Sequence, residues 1–384
     1  MKLSYTLWLS LVLCAMLASC YTAERGVAGL DASGMDCSAT KVAKTVPEAI
    51  AHQGARAVLV AESPAALISD EDRGVRLLSS LNVLTPELRE ALEVQRQLLK
   101  RQSPHKTYSY GGRTLTRRDF MQVIDDLLSG RFRSAPLTTT SVATNASVRF
   151  TGYYSPEILV SAKKSARFRY PVLAYPEAHE GPLPSRYDIE RGGALEGKTK
   201  ILCYAEHVLD VYTLQLQGSG FVRFSDGSLK YLAYGGTNRY PYQSIGLALQ
   251  RRDSTVTDIS HRGLRTWISA NAAQRDSITT FNPNYGFFRE AEGKATGAAG
   301  VPLQPMISVA ADPEHYPLGS VLLARVPKVN APGQFETRIL LVQDTGGAIN
   351  GAGHLDLYTG VGEKALDIAE RTGTSGEVYL LMPS

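Results

Sequence analysis

The chain has 384 residues, 43% apolar and 20% charged, with Lys+Arg 41 against Asp+Glu 37 for a net charge of +4. This length calls for two domains, and the composition, with 34 glycines and 19 tyrosines, suits a strand- and loop-rich globular fold better than a helical bundle. A balance this mild gives no sign of a nucleic-acid partner; it is compatible with an anionic polymer without arguing for one.

Residues 1–19 read as an export signal. Lys2 is the one early charge, and the apolar run at 7–17 is too short to span a bilayer as a mature helix. The run ends in Leu17-Ala18-Ser19-Cys20. Small residues before a cysteine resemble a bacterial lipoprotein cleavage site, which would leave Cys20 as a lipidated N-terminus anchored to a membrane. Tyr21 rather than aspartate at the next position points, by analogy, to the outer membrane. No other apolar run reaches spanning length. Cys37 and Cys203 remain for an oxidising compartment. Their spacing is not that of a metal site, and whether they pair is open.

Residues 20–45 are small and polar and read as a tether. Thr85-Pro86-Glu87 is an N-cap followed by proline at the first helical position, and Leu88, Leu92 and Leu99 continue a helix to about residue 101. Thr116 with Asp119 starts another helix. Its buried stripe is Phe120, Val123, Ile124, Leu127 and Leu128, and Gly130 ends it. From about residue 147 short segments alternate in polarity, at 148–154, 208–217, 221–224 and 231–234, with Asp226-Gly227 as a tight hairpin; the stretch reads as antiparallel β. Helical spacing returns at 242–251 and 258–270. Strands follow at 306–311, 320–326, 338–343, 354–358 and 376–382, interrupted by a helix near 363–371.

Three aspartates lie in or at the ends of those last strands: Asp312, Asp344 and Asp356. Strand alternation turns His354, Asp356 and Tyr358 to one face and Leu355 and Leu357 to the other, so the leucines suit a core and Asp356 a cleft. Gly346-Gly347 permits a turn that would bring Asp344 near Asp356. Singly, an aspartate beside glycine is more often a turn residue.

Val309-Ala310-Ala311-Asp312-Pro313, Pro317-Leu318-Gly319, Asp344-Thr345-Gly346-Gly347-Ala348-Ile349 and Asp356-Leu357-Tyr358 together resemble the 3D domain, named for its three aspartates. Phe150-Thr151-Gly152-Tyr153-Tyr154-Ser155-Pro156, Gln217-Gly218-Ser219-Gly220, Tyr240-Pro241-Tyr242-Gln243-Ser244-Ile245-Gly246, and Asn282-Pro283 with Phe287-Phe288 resemble the membrane-bound lytic murein transglycosylase A family from about residue 80 onward. The resemblance implies a mainly β protein with peripheral helices. A double-psi β-barrel domain would comprise 46–156 and 238–384, a smaller inserted β-barrel 157–237, and a groove between them would hold the glycan. It implies a monomer on the periplasmic face of the outer membrane, with peptidoglycan glycan strands as substrate. It makes Asp356 the catalytic acid/base and Asp344 its orienting or polarising partner, with Asp312 supporting the barrel or the site's backbone. Tyr153, Tyr154, Gln217 and Ser219 are the sugar-binding candidates.

Lytic transglycosylases cleave the β-1,4 bond between N-acetylmuramic acid and N-acetylglucosamine without adding water. The muramyl C6 hydroxyl closes on its own anomeric carbon, so one carboxyl serves first as acid and then as base, and no metal or cofactor is needed. Asp356 must hold its proton at the working pH, which burial and a neighbouring carboxylate would favour. Tyr240, Tyr242 and Asn238 are further possible sugar contacts, although tyrosine in β structure more often packs across strands. His261 and His354 show no nucleophile to serve. The alternatives are a hydrolytic muramidase, a non-catalytic peptidoglycan-binding lipoprotein and, for Asp344-Thr345-Gly346, an aspartic protease, which would need a second such tripeptide that the chain lacks.

Overall fold

The computed structural model describes residues 69–81, 84–110, 113–134, 137–143, 146–331 and 333–384. The export signal at 1–19, the lipidation site Cys20, the tether at 20–45 and Cys37 lie outside the described residues; Cys203 is buried.

Two helices open the described chain: α1 (Asp70–Ser79), capped by the Ser69 hydroxyl, and α2 (Pro86–Arg101), whose Leu88 N–H donates to the Thr85 hydroxyl at 3.2 Å. The hairpin of β1 (Thr107–Tyr110) and β2 (Arg113–Thr116) leads into α3 (Arg117–Ser129). There the Asp119 carboxylate accepts the Thr116 N–H at 2.6 Å, and Gly130 ends the helix at φ 78°. β3 (Thr138–Thr140) and β4 (Ser147–Ser155) follow.

A second lobe then intervenes. It contains β5 (Glu157–Ser161), β6 (Tyr170–Leu173), α4 (Arg186–Glu190), β7 (Ile201–Ala205), α5 (Val208–Gln217), β8 (Gly220–Phe224) and β9 (Leu229–Thr237). It continues through α6 (Ile245–Arg252), α7 (His261–Ala270), α8 (Arg275–Thr279) and β10 (Gly286–Ala291). The chain returns with β11 (Ser308–Ala310), β12 (Val321–Pro327), β13 (Phe335–Asp344), β14 (His354–Val361), α9 (Glu363–Arg371) and β15 (Ser375–Met382).

The returning strands join β3 and β4 in the order β12-β13-β11-β14-β4-β15-β3. Because β12 also pairs with β15, six of the strands close into a ring, and only β3, paired to β15, stands at an edge. Val309, Leu322, Leu341, Leu355, Leu357 and Leu380 of these strands form one buried core with Leu92, Leu99, Phe120 and Ile124 of α2 and α3. Each such side chain taken fully out of water contributes about 1.5–3 kcal/mol. The second sheet runs β10-β9-β8-β5-β7-β6, and one bridge, Ala174 to Phe288, joins its two ends. The fold is mainly β with barrel-like sheets and helices at their margins.

Three expectations need correction. Segment 208–217 is the helix α5, not a strand. Val211 and Leu214 enter the second sheet's core while Val208, Leu209 and Tyr212 join the core of α6 and α7. Burial on both sides hides the helical period among β-branched residues. The second lobe also runs past residue 237, since β10 pairs with β9 from Gly286–Thr237 to Ala291–Tyr231. Nor is the stretch from residue 147 purely antiparallel: β5 runs parallel to β8, and β4 parallel to β14.

Candidate active site

Ala310 of β11 stands opposite Asp344 on one side and Asp356 on the other. Residues in register share a face, and two strand spacings separate the two aspartate backbones by about 10 Å. The barrel's own register therefore brings these carboxyls to one surface. The flexibility of Gly346-Gly347, expected to do so, is not what aligns them. On the far side of β14, β4 adds Arg149 opposite His354, Thr151 opposite Asp356 and Tyr153 opposite Tyr358. Alternation along β4 turns Gly152 the other way, where a Cβ would lie 2.7 Å from the Ala369 backbone of α9. Only glycine lets that helix sit so close.

The two carboxyls have different environments. Asp344 accepts the Ala298 N–H at 2.8 Å, the Thr345 N–H at 2.9 Å and the Tyr153 hydroxyl at 2.9 Å. The loop carrying Ala298 comes this near because a Cβ on Gly297 would be 2.5 Å from the Gln343 carbonyl oxygen. Burial raises the Asp344 carboxyl above its ordinary range, against those three donors. Asp356 Oδ1 accepts the Thr151 hydroxyl at 2.8 Å. Burial pushes its carboxyl up to about 7; the Thr151 hydrogen bond and the Arg149 guanidinium oppose the rise, and the Asp344 charge adds to it. Both residues keep part of their surface exposed. The better-solvated charge thus belongs on Asp344 and the proton on Asp356, the division that lets one of two neighbouring carboxyls act as an acid near neutrality. In Asp344→Asn, the Asp356 carboxyl followed by carbon NMR is expected to titrate at lower pH than in the wild type. An unchanged or higher midpoint would show that Asp344 carries no charge felt at Asp356.

His354 lies on the same face, its Nε2 at 2.8 Å from Thr151 Oγ1. Burial, then the Arg149 charge, push the imidazole down to about 4, so it is neutral at pH 7. Tyr153 and Tyr358 pack with ring centroids 5.3 Å apart, and Tyr358 also shares a hydrogen bond with Ser155 at 3.0 Å. Tyr231 and Ala233 of β9 cluster with Tyr358, Ala295 and Leu303, so the second lobe meets the barrel beside the carboxyls.

The other candidates disperse. Asp312 accepts the Glu314 N–H at 3.0 Å and the Gly351 N–H at 2.7 Å, tying two loops together. Tyr154 turns to the opposite face of β4 and packs on Ala365, Leu366 and Ala369 of α9. Gln217 Oε1 accepts the Tyr154 N–H at 3.1 Å. Tyr154 and Gln217 line a mainly apolar cavity of about 110 Å³ shared with α5, α6, α7 and α9, on the side of β4 away from Asp356. Ser219 is half-buried in the turn before β8. Asn238 is spent on backbone, donating to the Pro184 and Pro283 carbonyls at 2.9 Å each and accepting from the Tyr285 N–H. Tyr242 is half-buried beside Tyr212, whereas Tyr240 is 38% exposed. The site members that sequence reasoning missed are Thr151, His354 and Arg149. Strand alternation through Asp356 already placed His354 on its face, but the pairing of β4 with β14, and with it Thr151 and Arg149, had no local signal.

Residues 149–289 match the model of the MltA specific insert domain, and residues 307–382 that of the 3D domain. A membrane-bound lytic murein transglycosylase A from Vibrio cholerae is 40% identical over 227 residues, which are 57% of this chain and 61% of that protein, less than two thirds of its length. A homolog from Buchnera aphidicola is 30% identical over 261 residues, 65% of this chain and 70% of the relative. The crystal structure of Escherichia coli MltA with bound chitohexaose superposes with a TM-score of 0.65 at 28% identity, covering 79% of this chain and 92% of that one.

Proposed function

The chain belongs to the membrane-bound lytic murein transglycosylase A family, and from that premise we propose that it cleaves the β-1,4 bond between N-acetylmuramic acid and N-acetylglucosamine in peptidoglycan, leaving 1,6-anhydromuramic ends. The observation that carries the reading is the unequal pair: one carboxyl, Asp356, pushed up to about 7 and bonded by the Thr151 hydroxyl, beside another, Asp344, bound by three donors.

Asp356 begins as the acid and gives its proton to the glycosidic oxygen as the C1–O bond breaks. The Asp344 carboxylate favours the positive charge that grows on the sugar ring. Asp356, now a carboxylate, takes the proton of the C6 hydroxyl while that oxygen bonds to C1. The first proton leaves on the departing sugar's hydroxyl, the second restores the Asp356 carboxyl, and no water is consumed. Intramolecular attack replaces a separate nucleophile, so orientation supplies much of the rate. Tyr153 and Ser219 are the sugar-binding candidates best separated from the α9 packing. Tyr154 and Gln217 act on the groove through the backbone they hold.

The named relatives are membrane-bound, Leu17-Ala18-Ser19-Cys20 supports a lipid on Cys20, and Tyr21 after it favours the periplasmic face of the outer membrane; the monomer rests on family analogy alone. Purified protein incubated with peptidoglycan is expected to release muropeptides lighter by one water than hydrolytic products, read by mass spectrometry. Reducing ends would mean a hydrolase. Binding without any fragment would mean a non-catalytic wall-binding protein.

A further inference from the structure

We propose that Thr151 and His354 are a positioning pair that keeps the transferable proton of Asp356 on its Oδ2 oxygen, where the substrate can take it. The proposal rests on the reading of Asp356 as the acid/base. It starts from one buried hydroxyl. Thr151 has no solvent exposure, and its Oγ1 lies 2.8 Å from Asp356 Oδ1 and 2.8 Å from His354 Nε2.

A hydroxyl has one proton to give and two lone pairs to offer, so these two contacts cannot both be donations. In one arrangement His354 carries its proton on Nε2 and donates to Thr151, and Thr151 donates to Asp356 Oδ1. In the other, a bare Nε2 draws the Thr151 proton away. Asp356 Oδ1 then faces a lone pair, and the acid's own proton is pulled onto Oδ1, inside the protein. The first arrangement alone suits both halves of the cycle. It leaves the acid proton on Oδ2, and it still gives the carboxylate a donor on Oδ1 after that proton has gone. The Thr151 hydroxyl need not rotate between the steps.

The surrounding groups support this polarity. Toward Asp356 face Arg149 and Thr151 from β4 and Asp344 from β13. Toward His354 face Thr151 and Arg149. Burial, and after it the guanidinium beside the imidazole, keep His354 neutral, so it can carry a single ring proton without becoming a cation. Tyr153 and Tyr358 do not compete for Asp356, since their hydroxyls engage Asp344 and Ser155.

The test compares Thr151→Val, which keeps the shape and removes the hydroxyl, with Thr151→Ser, which restores it. His354→Gln, whose amide nitrogen can stand near Nε2, is paired with His354→Asn, whose amide cannot reach. Each is assayed on peptidoglycan across pH, with Asp356→Asn alongside. Thr151→Val is expected to lower kcat by about tenfold or more with KM within about twofold. Its alkaline limb should move to higher pH, because the Asp356 carboxylate loses a donor that favours it. Serine should return kcat to within about threefold, and His354→Gln should outperform His354→Asn. Thr151→Val with wild-type kcat and an unmoved limb would overturn the proposal, as would a serine variant no better than valine. Should the valine variant fail to fold, the serine variant and the His354 pair decide, and equal kcat in glutamine and asparagine variants then counts against it. Full activity in Asp356→Asn would instead overturn the acid/base reading itself.

Discussion

Asp356→Asn is expected to lower kcat for glycan cleavage by about a thousandfold or more while glycan binding persists. An amide keeps the volume and the hydrogen bond from Thr151 but can neither give up nor recover a proton at these pH values. The same substitution has a second, opposite effect. Burial raises the folded-state Asp356 carboxyl to about 7, against about 3.9 for an exposed aspartate. Between those values the folded chain binds the proton and the unfolded chain does not, so this carboxyl contributes stability fully below about pH 4 and loses it as pH rises through 7. Three pKa units correspond to at most about 4 kcal/mol, less for a group that keeps some contact with water. Asparagine is neutral throughout. The variant is therefore expected to melt above the wild type at pH 8, with the difference shrinking toward pH 4. An inactive and more heat-stable protein separates loss of chemistry from loss of fold. Substantial lysis by this variant would sink the assignment, and a melting difference independent of pH would sink the account of its burial.

Much of the barrel was legible because local signals there agree with the final packing. The cap at Thr85-Pro86, the stop at Gly130 and the helix at 363–371 follow from residues within a few positions of each boundary. The split of Asp356 from Leu355 and Leu357 follows from strand alternation, with both leucines fully buried. What stayed hidden depends on contacts far along the chain. Thr151 meets Asp356 across 205 positions. Asp344 reaches the site because β11 lies between β13 and β14, an order that no neighbouring residue announces. α5 was misread for a related reason: with both sides buried, Val208, Val211 and Tyr212 show no polar face to reveal the helical period. Among the sugar-binding candidates, adjacent tyrosines were grouped as one motif, yet alternation sends Tyr153 to Asp344 and Tyr154 to α9.

The second lobe has its own critical residue, Arg186 of α4, which is only 2% exposed. Its Nε donates to the Asn282 and Asn284 carbonyls at 3.1 Å each, its Nη2 to Asn284 at 2.8 Å, and its Nη1 to Glu190 Oε1 at 2.8 Å. The guanidinium carbon also lies 4.8 Å from the Tyr212 ring centroid and 5.0 Å from that of Tyr285. Burial raises the Glu190 carboxyl, and Arg186 opposes that rise. Arg186→Met fills similar space but leaves two carbonyls without their donor and the partly exposed Glu190 carboxylate without its counter-ion. The expected cost is about 2–3 kcal/mol, mostly from the donors lost to the 282–284 carbonyls, because the Glu190 carboxylate keeps part of its surface in water. Lysine retains the charge but not the planar fork, so Arg186→Lys should fall between methionine and the wild type. Arg186→Met combined with Glu190→Gln should recover part of the loss, because the stranded charge is gone and only the carbonyls remain unmet. Denaturant unfolding of the four proteins measures the series. A methionine variant within about 1 kcal/mol of the wild type would mean that Glu190 and the 282–284 loop find other partners. The loop matters beyond stability: Asn282 accepts the Gln243 N–H at 3.1 Å and donates to the Tyr212 hydroxyl at 3.1 Å, so Arg186 fixes the backbone on which the 240–246 motif rests.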